Sequence, residues 1–178
     1  THIITNGAGS ATLGIALGNS TDNVVNIDGT GGITINSIVS GSSRNLTKGG
    51  TGAGVLSLTG ANTYSGLTTV SGGTLRFNRT GGTTIPITND VTVNGGTLQI
   101  SSNQTLNSLT LASGATLTVD NGVTLTINGT FNHNGGTIAL TGSGVIAYGP
   151  SGALSYGDVA LQTATAKEFP TASGPKNL

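Results

Sequence analysis

The chain has 178 residues, including 31 Gly and 31 Thr, no Cys, Met or Trp, and six basic against six acidic residues for a formal net charge of zero. Scattered charge offers nucleic acid no basic face, the absence of cysteine removes disulfides, and no run approaches the ~18 apolar residues that span a bilayer. Leu, Ile, Val and Phe still number 44, enough for a thin aliphatic core in a chain otherwise rich in small residues.

In chain order, the start at Thr1-His2-Ile3-Ile4-Thr5 is already strand-like. A small-residue turn followed by an alternating strand then recurs. It is loose at Gly31-Gly32-Ile33-Thr34-Ile35 and at Gly54-Val55-Leu56-Ser57-Leu58, and strict at Ser71-Gly72-Gly73-Thr74-Leu75-Arg76-Phe77. Strict copies follow at residues 94–100, 113–119 and 134–140, and a loose one at 157–161. The leading apolar residues Ile33, Leu56, Leu75, Leu98, Leu117, Ile138 and Val159 are 23, 19, 23, 19, 21 and 21 residues apart. Val91-Thr92-Val93 and Leu109-Thr110-Leu111 are second strands within a step. Alternation over such short runs, bounded by Gly, Asn and Ser, predicts strands; no stretch carries a helical period.

One step cannot bury its own apolar face, so neighbouring steps must stack. The expected fold is all-β, a right-handed parallel β-helix (β-solenoid) of about eight coils with about 21 residues each and no significant helix. Residues 1–163 are expected to form the solenoid and 164–178 an irregular junction leading to a further repeat or module. Stacking predicts a Gly72, Gly95, Gly114, Gly135 ladder beside a Thr74, Thr97, Thr116, Thr137 ladder, with Leu117 and Val119 inward. Neither end reads as capped. The expected partners are therefore further copies of the chain or neighbouring repeats of one longer chain.

Residues 46–75 resemble the autotransporter passenger-associated repeat, whose pattern runs L-x-K-x-G-x-G-x-L-x-L-x-G-x-N-x-Y-x-G-x-T-x-V-x-G-G-x-L. The matching positions are Leu46, Lys48, Leu56, Leu58, Gly60, Asn62, Tyr64, Gly66, Thr68, Val70, Gly72, Gly73 and Leu75. Lys48 and Leu56 lie eight apart where the family has six, which predicts a longer corner or a bulge between them. The resemblance implies a β-helical passenger or adhesin segment of a large secreted Gram-negative surface protein. It further implies an extracellular or cell-surface location, with attachment to host or prey surface glycans or proteins. The outer membrane is involved only through modules outside the segment. The family repeat is architectural and brings no catalytic residue.

Two other readings of such a solenoid are a polysaccharide-processing enzyme and an ice-binding surface. Glycoside hydrolysis needs two carboxylates about 5–10 Å apart. Asp22, Asp28, Asp90, Asp120, Asp158 and Glu168 neither adjoin nor stand one coil apart. An enzyme is not expected, nor a cofactor. No metal site is expected either: His2 and His133 are far apart, and His133, in Asn132-His133-Asn134-Gly135, reads as a solvated corner. An ice plane would need Thr again two residues after the Thr ladder, where the column is mixed: Arg76, Gln99, Thr118 and Ala139. Tyr148-Gly149-Pro150-Ser151-Gly152 reads as a turn that interrupts the coils. Residues 146–157 and 78–86 are the candidate contact loops, with Arg79, Tyr148 and Tyr156 as contact residues. The expected function is that of a rigid shaft or fibre supporting attachment.

Overall fold

The structure, a computed structural model, describes residues 15–18, 22–157, 167–169 and 174–176. The start at 1–5, His2, Asp158, Val159 and most of the loose repeat at 157–161 lie outside the described residues.

The described residues contain no helix. Their strands are β1 (Ile15–Ala16), β2 (Asp22–Asn26), β3 (Gly32–Ile35), β4 (Val39–Ser40), β5 (Asn45–Gly49), β6 (Val55–Leu58), β7 (Thr68–Val70), β8 (Thr74–Phe77) and β9 (Val91–Val93). They continue as β10 (Thr97–Ile100), β11 (Gln104–Leu106), β12 (Leu109–Ala112), β13 (Thr116–Val119), β14 (Thr124–Ile127), β15 (Thr130–Asn134), β16 (Thr137–Leu140), β17 (Val145–Tyr148) and β18 (Ala153–Tyr156).

All these strands pair in parallel. One face is a seven-stranded sheet in the order β18-β15-β12-β9-β7-β5-β2, and the next is six-stranded, β16-β13-β10-β8-β6-β3. The third face holds β1-β4 at one end and β11-β14-β17 at the other. The chain is thus a β-solenoid. Its described part makes about six turns, fewer than the eight expected over the whole chain. The expected count used every residue, whereas the strands of the described residues run from Ile15 to Tyr156.

Register follows the alternation of the sequence. Leu56, Leu75, Leu98 and Leu117 form one inward column and Leu58, Phe77, Ile100 and Val119 the next, all fully buried. Each such side chain contributes about 1.5–3 kcal/mol on leaving water. Because a coil is one strand thick, that gain exists only when the coils above and below are in place. The Thr74, Thr97, Thr116, Thr137 ladder faces out in register, as expected.

Corner length accounts for the long spacing after Lys48. Residues 50–54 join β5 to β6 in five residues, where 71–73 join β7 to β8 in three. The preceding corner, 27–31, is also five residues long, and the two stack. Gly29 N–H donates to the Thr51 carbonyl at 2.8 Å, and Thr51 N–H donates to Asp28 Oδ1 at 2.8 Å.

Candidate functional site

The repeat residues at 46–75 are spent on holding coils together. Leu46 and Lys48 both point inward from β5, and Lys48 is fully buried, in a column between Val25 and Val70. An ammonium placed there loses its water and needs fixed acceptors. Its Nζ donates to the Gly49 carbonyl at 2.5 Å and to the Gly72 carbonyl, on the next coil, at 3.1 Å. Burial pulls its pKa below the ordinary lysine value, and the Asp28 carboxylate works in the opposite sense. Asp28 in turn is held below the usual carboxylate range by the Thr51 N–H and hydroxyl.

The third face lacks strands between β4 and β11, and buried polar side chains there supplement a few backbone coil-to-coil hydrogen bonds, such as that from Thr63 N–H to the Val39 carbonyl at 2.9 Å. Asn62 Oδ1 accepts from Val39 N–H at 2.8 Å, and its Nδ2 donates to the Thr84 carbonyl at 3.0 Å. Thr84 N–H then donates to Gln104 Oε1 at 2.7 Å. Asn89 Nδ2 donates to the Tyr64 carbonyl at 2.9 Å, and the Tyr64 hydroxyl bonds Thr68 Oγ1 at 2.8 Å, both inside the core. Buried amides of this kind replace a ladder one bond at a time, which keeps the coil backbone satisfied where its path is irregular.

The repeat glycines sit where one coil meets the next. A Cβ on Gly60, Gly66 or Gly72 would lie within 2.4 Å of the backbone of Ser37, Arg44 or Gly50. Gly73 adds a left-handed backbone, φ 63°, and a Cβ there would stand 2.4 Å from the Gly54 carbonyl and 2.6 Å from Lys48 Nζ. In a later coil Ala115 takes the equivalent place, and the left-handed residue becomes Gly114, φ 79°. Leu56, Leu58, Val70, Leu75, Leu98 and Leu117 are fully buried, and Ile138 nearly so.

The candidate contact residues lie differently from the sequence reading. Tyr148 is the last residue of β17 and faces the core at 4 % exposure, so residues 145–148 continue the coils instead of interrupting them. Burial drives its hydroxyl pKa up strongly. Tyr156 is half-buried in β18, and its hydroxyl donates to Glu168. His133 is not at a solvated corner: it is an inward residue of β15. The 78–86 segment lies outside the strands, with Thr84 and Ile85 buried at its far end. Arg79 closes it, with Nη1 donating to the Thr83 carbonyl at 2.9 Å and its N–H to Ser102 Oγ at 2.9 Å. Thr80, Gly81 and Gly82 are exposed at its tip.

The outer faces are hydroxyl- and amide-rich. On the six-stranded sheet Arg76 Nε donates to Gln99 Oε1 at 2.9 Å, and Gln99 Nε2 donates to both Asp120 oxygens. Ser101 Oγ donates to Asp120 Oδ2 at 2.7 Å, so this column is tied across its outer surface. The seven-stranded sheet carries a second outward ladder, Thr47, Thr69, Thr92 and Thr110, which the sequence reading missed. Its signal was a Thr at the centre of each second-strand triplet. The ladder is one residue wide, flanked by Leu67 and Asp90, and does not form a regular threonine plane. Among the described residues no three His, Cys, Asp or Glu side chains come together as metal ligands would.

Comparison with known proteins agrees with the repeat read above. The family model described as Passenger-associated-transport-repeat matches residues 46–77. The curated Adhesin BmaC autotransporter of Brucella suis biovar 1 (strain 1330) is 48% identical over 64 residues, 36% of this chain. The matched part is about 2% of that protein's length. No solved structure matches.

Proposed function

We propose that this chain is a segment of the extracellular, adhesive part of a large secreted bacterial surface protein, and that it serves as a rigid shaft supporting attachment. The observation that carries the reading is how completely the repeat residues are used. Lys48, Asn62, Tyr64 and Thr68 all spend their polar atoms on neighbouring coils or the core. Side chains committed in this way support a structural role for the repeat residues.

Stacked parallel sheets resist bending because every coil is hydrogen-bonded to the next on two faces. Contact with a target falls to exposed features on this scaffold, of which the Arg79-closed loop at 78–86 is the most prominent. Surface glycans or proteins are the expected targets.

Two measurements test the proposal together. Small-angle scattering should return a rod, and beads coated with the segment should bind a glycan array or cell surface more than uncoated beads. Arg79→Ala should lower that binding while leaving the rod unchanged. A flexible or spherical particle would remove the shaft role. Binding no better than that of bare beads would remove the adhesive role from this segment.

A further inference from the structure

On the strands of the six-stranded sheet one outward side chain is charged, Arg76 of β8; the others are Gly, Val, Thr, Ser, Gln and Ala. Arg79 follows three residues later, where β8 has ended and the loop at 78–86 has begun. Three residues of chain span no more than about 11 Å, so the two cations share one rim of the sheet. Both are half-buried, and each is held at one edge. Arg76 Nε donates to Gln99 Oε1 at 2.9 Å, and Gln99 is itself fixed by both oxygens of Asp120. Arg79 Nη1 donates to the Thr83 carbonyl at 2.9 Å. A Cβ on Gly82 would stand against that nitrogen, so the loop is shaped around the guanidinium.

A guanidinium presents its N–H donors in a planar fork. Among the described residues nothing accepts from Nη1 or Nη2 of Arg76, or from Nε or Nη2 of Arg79. Each cation therefore keeps a pair of adjacent donors available, the arrangement that grips two oxygens of a carboxylate or sulfate. Asp120, the carboxylate tied to this network, lies two strands away across the sheet and is engaged by Gln99 and Ser101. Beside Arg76, on the same face, Thr74, Thr97 and Thr116 stand in register at the ~4.8 Å strand spacing. Their hydroxyls bond no described residue. A hydroxyl both donates and accepts, which suits the hydroxyls of a sugar. Neutral bonds of that kind largely exchange with water, so they position a ligand while charge-assisted bonds supply affinity. Phe77, the aromatic residue of these strands, is fully buried, so the face offers no ring to anchor a protein or stack a neutral sugar.

We propose that Arg76, Arg79 and the adjoining threonine ladder bind an acidic polysaccharide. Its carboxylate or sulfate groups meet the two guanidiniums, and its sugar hydroxyls lie along the ladder. This site rests on the adhesive role proposed above and narrows the target to anionic glycans.

The test is binding of the whole chain to immobilised heparin, polygalacturonate and dextran, with intact cells alongside. Heparin offers sulfate, polygalacturonate offers carboxylate, and dextran is neutral. The chain should be retained on an acidic polysaccharide and not on dextran; which of the two acids holds it assigns the anion. Arg76→Gln and Arg79→Gln should each weaken retention about ten- to a hundredfold, the range for losing hydrogen bonds to a charged group, with the thermal midpoint unmoved. Raising salt from about 0.05 M to about 0.5 M should release the native chain, because screening weakens exposed ion pairs. That measurement needs no variant, so it decides even where a variant fails to fold. Equal retention on dextran, retention that ignores salt, or folded glutamine variants that bind like the native chain would each overturn the site. Equally tight binding to polyglutamate would also overturn it, making the partner an acidic protein. A chain that holds cells but no acidic polysaccharide rules out this site and leaves the adhesive role standing. Binding to neither removes both.

Discussion

Lys48 donates to the carbonyl of Gly72 on the following coil at 3.1 Å, and its nitrogen lies 2.6 Å from where a Cβ on Gly73 would stand. The lysine and the glycine pair of the repeat are therefore one device. The charge closes a corner whose backbone must stay bare to admit it. That dependence crosses coils, so disturbing either partner loosens the stack.

Gly73→Ala combines a left-handed backbone with two contacts too short to keep. A loss of about 3–5 kcal/mol is expected, in the range of severe core defects. Gly114→Ala keeps the left-handed penalty, but its Cβ has nothing within 4 Å, so about 1–2 kcal/mol is expected. Denaturant midpoints of the two variants should differ accordingly. Equal losses would show that the close approach at Gly73 relaxes freely.

Lys48→Met keeps the volume of the stem and removes the donor. The Gly49 carbonyl still accepts from Ile27 N–H, so the Gly72 carbonyl bears most of the loss. A loss of about 1–3 kcal/mol is expected for a buried acceptor left unpaired, reduced by the relief of no longer burying a charge. A more stable variant at neutral pH would mean that desolvation outweighs the two hydrogen bonds.

Asn62 can be dissected by chemistry. Asn62→Ala strips Val39 N–H of its partner and leaves the Thr84 carbonyl with the Asn62 backbone N–H alone, and about 1–3 kcal/mol should be lost. Asn62→Asp retains an acceptor for Val39 but points a second acceptor at Thr84. Hydrogen exchange at the Val39 amide should therefore speed up greatly in the alanine variant and much less in the aspartate one.

The alkaline limit of stability belongs to the tyrosines. Tyr64, Tyr148 and Tyr156 all have pKa values raised by burial, so their contribution is fully present below ~10 and is lost as pH rises beyond it. Lys48 acts with the opposite sign, because its lowered pKa makes the folded chain release a proton before the unfolded one. Tyr64→Phe should reduce the alkaline slope by about 1.4 kcal/mol per pH unit, the value for one proton. Thr68 loses its partner, so the variant should also start about 1 kcal/mol lower at neutral pH. An unchanged slope in unfolding titrations would place the alkaline sensitivity elsewhere.

Much of this molecule was legible in its residues. Alternating Leu-x-Leu and Val-x-Val runs between Gly, Asn and Ser predict strands, and their recurrence predicts stacking. The register of Leu75, Leu98 and Leu117 is as the spacing predicts. These features are readable because the same residue type meets the same environment in every coil. What the repeat does not repeat was decided only by the tertiary structure. His133, flanked by Asn and Gly, resembles a turn, yet its sheet register places it between Leu111 and Tyr156 on the inner face. Tyr148 precedes Gly149 and Pro150 and resembles a loop residue, yet it closes a strand in line with Ile127. Glu168 meets His133 across 35 residues of chain that carry no pattern linking them. Periodicity encodes which faces turn inward; which polar groups meet at the irregular places depends on how far the coils have been carried round, and only the assembled stack specifies that.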